Sequence, residues 1–400
     1  MAGMQSVTDA LAQILQSATA VTHTEVLPLM QAHGRILASA QISPVDVPPA
    51  DNSAMDGYAF CHGDLRTTPH TDFPISQRIA AGHAPVGLQQ GTAARIFTGA
   101  EIPAGADSVA MQEQCVVNHD QVQIPATVPL GNNVRPRGQD ILQGAEVAAA
   151  GQTLTPQTLG LLASVGIDRI PVLRRLKVAI LSSGDELVEP GEPLQAGQIY
   201  NSNRFLLAGL LHKMDIIPLD LGRVEDTPEA TLQALSRATL EADVIVSTGG
   251  VSVGEEDHIK GAVEKLGELT LWKMAIKPGK PLAFGRVGDT PFFGLPGNPV
   301  STFVTFLLFV RPYLQKMQGR TPLLPRGSFV AASFERPSKS IRQEYVRVNI
   351  TDDGGMQTFA NQSSGVLSST SWSNAMAIVP VDTPIHTGDL VRVIRYDQLF

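Results

Sequence analysis

Ala242-Asp243-Val244-Ile245-Val246-Ser247-Thr248-Gly249-Gly250-Val251-Ser252-Val253-Gly254-Glu255-Glu256-Asp257-His258-Ile259-Lys260 is the stretch that decides the fold. Its opening, Ala242 to Val246, is a short, mostly apolar run of the kind that forms a buried strand in a parallel sheet. The glycines that follow have no Cβ, so the backbone turns tightly and approaches a ligand closely. Their N–H groups can line an anion pocket at the start of the next helix. Asp257 and Lys260 then set an acid and a base within one helical turn.

Two further rigid loops lie downstream, Lys277-Pro278-Gly279-Lys280-Pro281 and Gly294-Leu295-Pro296-Gly297-Asn298-Pro299. A single glycine turn more often serves geometry than a ligand, but three such loops in one segment point to a phosphate or oxyanion site. Neither G-x-G-x-x-G opening a helix nor G-x-x-x-x-G-K-[ST] occurs here, which argues against an ordinary dehydrogenase or a P-loop NTPase.

Around this segment the pattern alternates. Lys177–Ser182, Asp215–Leu221 and Ala242–Ser247 read as strands, and Asn203–Lys213, Thr227–Glu241, Asp257–Leu266 and Val300–Met317 as helices. That order predicts a parallel sheet with right-handed crossovers and a crevice at the carboxyl ends of its strands. Residues 6 to 38 carry helical spacing, including Val26, Leu27, Leu29 and Met30. Short β-like runs cut by Gly and Pro fill the region from Asp51 to about Arg135, and β-rich runs return after Pro325. The expectation is a multi-domain α/β plus β protein. It has a helical linker region (1–46 and 136–172), a small β domain (47–135), a central parallel-sheet α/β domain (173–322) and a C-terminal β-barrel-like domain (323–400).

The 400 residues are 43% apolar, ample for several cores, and a formal net charge of −8 argues against a general nucleic-acid or anionic-membrane surface. Two cysteines, Cys61 and Cys115, make no disulfide framework. With no cationic leader and no apolar run long enough to span a bilayer, a soluble, cytoplasmic protein is expected.

Glu186, Asp226 and Asp257 each follow a strand of the α/β segment, where acids converge and favour a hard cation such as Mg2+. A Pro-Gly pair between Lys277 and Lys280 restricts where both ammonium groups point, and with Lys273 they suit an oxyanion. The loop Asp51-Asn52-Ser53-Ala54-Met55-Asp56-Gly57-Tyr58-Ala59, Thr98-Gly99-Ala100 and Asp140 read as turn residues on composition alone.

Taken together, these motifs, with Arg137-Gly138-Gln139-Asp140 and Ser183-Gly184-Asp185-Glu186-Leu187, resemble the molybdopterin molybdenumtransferase family (MoeA, homologous to the gephyrin E domain) from about Leu27 onward. The resemblance implies a molybdopterin-binding α/β domain that inserts molybdate into adenylated molybdopterin and hydrolyses the adenylate to molybdenum cofactor and AMP. It implies a homodimer with a site shared between subunits, Mg2+ as cofactor, and transient contact with the molybdopterin adenylyltransferase. By the same resemblance Asp56, Glu186, Asp226 and Asp257 are catalytic, with Asp56 and Glu186 holding the metal. The substrate-binding set is Thr98, Asp140, Gly249, Gly250, Ser252, Lys273, Lys277, Lys280, Pro296, Pro299, Arg347 and Ser364. Three departures from the family pattern stand out: Ser183 in place of Thr, Ile341 in place of Gly, and Gln362-Ser363 in place of a glycine-rich approach to Ser364. Two competing expectations are a molybdopterin adenylyltransferase, which would be the α/β domain alone, and a gephyrin-like scaffold, which would carry a fused domain.

Overall fold

The computed structural model describes residues 4–249, 258–320 and 327–399, so Gly250, Ser252 and Asp257 lie outside the described residues. The chain forms two compact units. One comprises Val26–His33 and Leu37–Val172, and the other comprises Met1–Glu25, Gly34–Ile36 and Leu173–Phe400.

The larger unit is built on a seven-stranded sheet. Ile217–Val224, Lys177–Ser183, Val244–Thr248 and Thr290–Leu295 run parallel to one another, as the alternating pattern predicts. The other half departs from that prediction: Thr290–Leu295 pairs antiparallel with Pro281–Val287, and this with Gly267–Met274, so the sheet is mixed. The cause is local. Only Gly288 and Asp289 separate two of these strands, and Gly288 adopts φ +57°. A connection that short permits a hairpin, whereas a parallel neighbour needs a crossover.

Alternation along the central strands covers both faces. Val178, Ile180, Val244, Val246, Phe293 and Leu295 pack with helices Ser202–Lys213 and Val7–Gln16 and with the buried helical run from Pro299 to Met317. Ala179, Leu181, Ile245 and Phe292 point the other way, onto helices Pro228–Glu241 and His258–Leu266. Caps set the helix starts: Ser6, Thr227 and Asn201 each accept an amide hydrogen bond from the first turn. No helix among the described residues is long and apolar enough to cross a membrane.

The C-terminal sheet runs in the order Ile276–Lys277, Gln343–Ile350, Ala375–Val379, Leu390–Arg395, Ser328–Ala331. No pairing among the described residues closes this path into a barrel. Val346, Val348, Ala377 and Val393 form its own core, while Tyr345, Met376, Ile378 and Ile394 join the core of the α/β domain.

The smaller unit holds a six-stranded sheet around Tyr58, Phe60, Phe73, Val122 and Ile124, in keeping with a small β domain. The helical spacing read around Val26 is not realised. Thr24–Pro28 is extended and only Leu29–Gln31 makes a 3-10 turn, because β-branched residues and Pro28 oppose a continuous helix.

Phe293 is fully buried, with ring centroids 4.9 Å from Phe284 and 5.1 Å from Tyr313. Phe293→Ala is expected to lower unfolding stability by about 3–5 kcal/mol in a denaturant titration, the usual cost of emptying an aromatic site.

Candidate functional site

Lys277 and Lys280 flank a tight loop in which the Lys277–Pro278 peptide is cis and Gly279 has φ +104°. A Cβ on Gly279 would lie 2.7 Å from Thr305 Oγ1, so glycine is required there for both shape and space. The loop lies between two sheets. The amide of Met274 donates to the Lys280 carbonyl at the end of the central sheet, and Ile276 and Lys277 pair with Gln343 and Glu344 of the C-terminal sheet.

Facing the lysines is the turn Gln362-Ser363-Ser364. Its scaffold is Arg347, 1% exposed. The Arg347 guanidinium donates to the Ser363 carbonyl (3.3 Å), the Tyr345 carbonyl (3.0 Å) and Ser369 Oγ (3.2 Å). The Gln362 amide bonds the Arg347 backbone in both directions, at 2.9 and 3.0 Å. Gln362 thus ties the turn to the strand that carries Arg347. Burial pulls Arg347 down to about 10, since a charged guanidinium away from water is disfavoured. The structure therefore places Arg347 beneath the turn, where it fixes the loop carrying Ser364.

Between lysine loop and serine turn lies a cavity of about 460 Å3, lined by Gly249, Lys277, Lys280, Pro296, Arg342 and Ser364 among others. None of its described lining residues is a carboxylate, so three cations, hydroxyls and loop backbone converge with nothing acidic among them. Arg342 and Gln362 were missed in the sequence, because nothing marks them apart from the resemblance-bearing residues beside them. The Pro296–Pro299 turn on the far wall is held from several sides: Thr302 Oγ1 donates to the Pro296 carbonyl (2.5 Å), and Asn203 Nδ2 to the Gly297 carbonyl (2.7 Å).

A second cavity, about 550 Å3, adjoins the first through Gly249, Gly297 and Asn298 and is lined by Ser183, Glu186, Thr248 and Pro299. It sits at the carboxyl ends of Lys177–Ser183 and Val244–Thr248, the position expected of an open α/β sheet. Gly249 has φ +80°, and a Cβ there would press on the Ser183 carbonyl at 3.1 Å. Ser183 Oγ donates to Asp226 Oδ1 at 2.7 Å, so serine retains the hydroxyl function that threonine would supply. Glu186 is exposed at the rim. Lys273, also exposed, lies on the strand Gly267–Met274 and is not among the described residues lining either cavity.

In the smaller unit, Asp56 Oδ1 accepts from both the amide (2.8 Å) and the hydroxyl (2.9 Å) of Thr98. Asp140 is exposed on a turn, its amide bonded to the Val47 carbonyl. No group of three or more metal-ligating side chains converges among the described residues.

The Thr98 amide and hydroxyl hold the Asp56 carboxyl below the usual carboxylate range. A depressed folded-state pKa contributes stability at pH values above the ordinary carboxylate pKa, and this is lost as pH falls through the lower folded value. In an NMR titration Asp56 is expected to protonate below its ordinary value of 3.8, and Thr98→Val, which removes one donor and leaves the amide, to move it upward.

Comparison with known proteins agrees with this fold. Residues 5–166 match the family model "MoeA N-terminal region (domain I and II)", residues 179–316 "Probable molybdopterin binding domain", and residues 330–396 "MoeA C-terminal region (domain IV)". A Haemophilus influenzae protein named molybdopterin molybdenumtransferase is 39% identical across 99% of this chain and 100% of its own. A protein of the same name from Nostoc is 36% identical across 93% and 88%. The crystal structure of the molybdopterin biosynthesis MoeA protein of Pyrococcus horikoshii OT3 superposes with a TM-score of 0.86 at 30% identity, over 98% of this chain and all of that one. With domain order, fold and near-complete alignment in agreement, the chain belongs to the molybdopterin molybdenumtransferase family.

Proposed function

We propose that the chain inserts molybdate into adenylated molybdopterin and releases molybdenum cofactor and AMP. The smaller cavity takes the oxyanion and the Glu186-lined cavity the adenylated pterin. The observation that carries this reading is the carboxylate-free cavity lined by Lys277, Lys280, Arg342 and Ser364, joined to a strand-end crevice at Gly249. Molybdate is a tetrahedral dianion with only acceptor oxygens. It needs ammonium, guanidinium and hydroxyl donors in a partly dehydrated recess, and these residues supply them. The shared Gly249-Gly297-Asn298 wall then brings the metal's arrival point next to the organic substrate, which serves the reaction by proximity.

Mg2+ belongs to the same reading. Glu186 and Asp56 are hard oxygen donors of the type that would hold it, and when bound it would neutralise pyrophosphate charge. Asp226, hydrogen-bonded to Ser183, supports the wall of the pterin cavity. A homodimer, with Asp56, Thr98 and Asp140 contributed to a shared site, and transient transfer from the adenylyltransferase are likewise part of the proposal. So are a role for Lys273 and, outside the described residues, for Gly250, Ser252 and Asp257. Sedimentation at micromolar concentration is expected to give a dimer, and an active monomer would contradict that.

AMP release measured against molybdate concentration, at saturating adenylated molybdopterin, tests the division between cavities. Lys280→Ala is expected to raise half-saturation roughly tenfold to a hundredfold, equivalent to about 1.5–3 kcal/mol for one charge-assisted contact. Ser364→Ala should raise it less. Arg347→Ala should raise it by releasing the Ser363 carbonyl and loosening the turn, and should also lower thermal stability. Unchanged molybdate response with weakened pterin affinity would reverse the assignment of the two cavities.

A further inference from the structure

Glu344 sets a carboxylate beside a cation-rich site. It is 9% exposed; Oε1 accepts from Lys277 Nζ at 3.0 Å and Oε2 from Arg336 Nε at 3.2 Å. Its place is fixed by backbone, because Lys277 and Glu344 are register partners where Ile276–Lys277 joins the C-terminal sheet. On its side opens a basin of about 700 Å3 whose lining includes Lys277, Lys280, Arg336, Lys339, Arg342 and Glu344. Lys277, Lys280 and Arg342 therefore line both this basin and the smaller oxyanion cavity. Glu344 is the one carboxylate among the described lining residues of the two.

The Lys277 ammonium is a compact charge with three donors, and one of them is committed to Glu344. An arriving dianion shares that lysine with a negative charge already in place, which also cancels part of the positive potential of the cavity. We propose that Glu344 is a positioning residue that serves as the internal counter-anion of the site. It holds Lys277 at the rim, competes with the tetrahedral oxyanion for it, and so limits how tightly the anion is gripped before transfer. Arg336 occupies the other carboxylate oxygen and thereby restrains that competition. This inference rests on the reading of the smaller cavity as the oxyanion site.

A merely structural Glu344 predicts the opposite sign, since losing it would loosen the lysine loop and weaken binding. The test is calorimetric titration of molybdate into the full-length chain without organic substrate. Glu344→Gln is expected to lower the dissociation constant roughly three- to tenfold, the scale of one screened charge a few ångströms from the anion, with Glu344→Asp staying within about twofold of wild type. Glu344→Ala, which removes the same charge, is also expected to lower it, and this variant carries the test should Glu344→Gln fail to fold. Equal or weaker binding by Glu344→Gln, or by Glu344→Ala where Glu344→Gln does not fold, overturns the proposal. If wild type itself takes up no molybdate, the oxyanion reading fails; if wild type binds and Glu344→Gln does not tighten, only the counter-anion role fails.

Discussion

Two residues of parallel pairing, Ile276 with Gln343 and Lys277 with Glu344, hold the C-terminal sheet to the lysine loop. The chain leaves the central sheet at Met274, contributes this short strand to a second sheet, and returns to the first at Pro281. Because strand register is discrete, a slip of one residue would turn Lys277 away and carry the whole loop with it. The hydrophobic seam beneath, where Tyr345, Met376, Ile378 and Ile394 enter the core of the α/β domain, makes that register costly to change. The cavity, the counter-anion and the serine turn all inherit their positions from this joint.

A buried arginine completes the other wall. Among the described residues the Arg347 guanidinium bonds no carboxylate, and its hydrogen bonds end on two carbonyls and a serine hydroxyl. Desolvating a guanidinium is unfavourable, and each of its three nitrogens donates one hydrogen bond, that to the Ser363 carbonyl holding the Ser363–Ser364 turn. The Val300 amide, which donates to the Ser364 carbonyl at 3.0 Å, ties the same turn to the start of the helix on the opposite side. Serine turn and proline turn are therefore locked to each other as well as to their own sheets.

The carboxylates follow a different logic. Asp56 is fixed by two donors from Thr98 in the smaller unit, and Asp226 by Ser183 in the larger one, each through a contact between residues far apart in sequence. Glu186 is exposed at the second cavity. Among the described lining residues, cations gather at the first cavity and Glu186 is the carboxylate of the second, while Glu344 is bonded to a lysine of the first.

The α/β character and the parallel strands and helices of the central domain were legible in the residues. Apolar periodicity, caps such as Ser6 and Thr227, and the glycines and prolines of the three loops act over a few neighbouring residues. Asp56, Thr98 and Asp140 were not legible that way. An Asx turn and a ligand-binding carboxylate have the same local composition, and only resemblance singled these out. The antiparallel half of the central sheet, the open C-terminal sheet and the burial of Arg347 were decided by tertiary structure. Strand direction depends on which edge is available for pairing, and whether an arginine faces a ligand or supports a loop depends on carbonyls contributed by residues up to sixteen positions away. Periodicity determines which face of an element is apolar; only packing determines what that face, or a charge beside it, will meet.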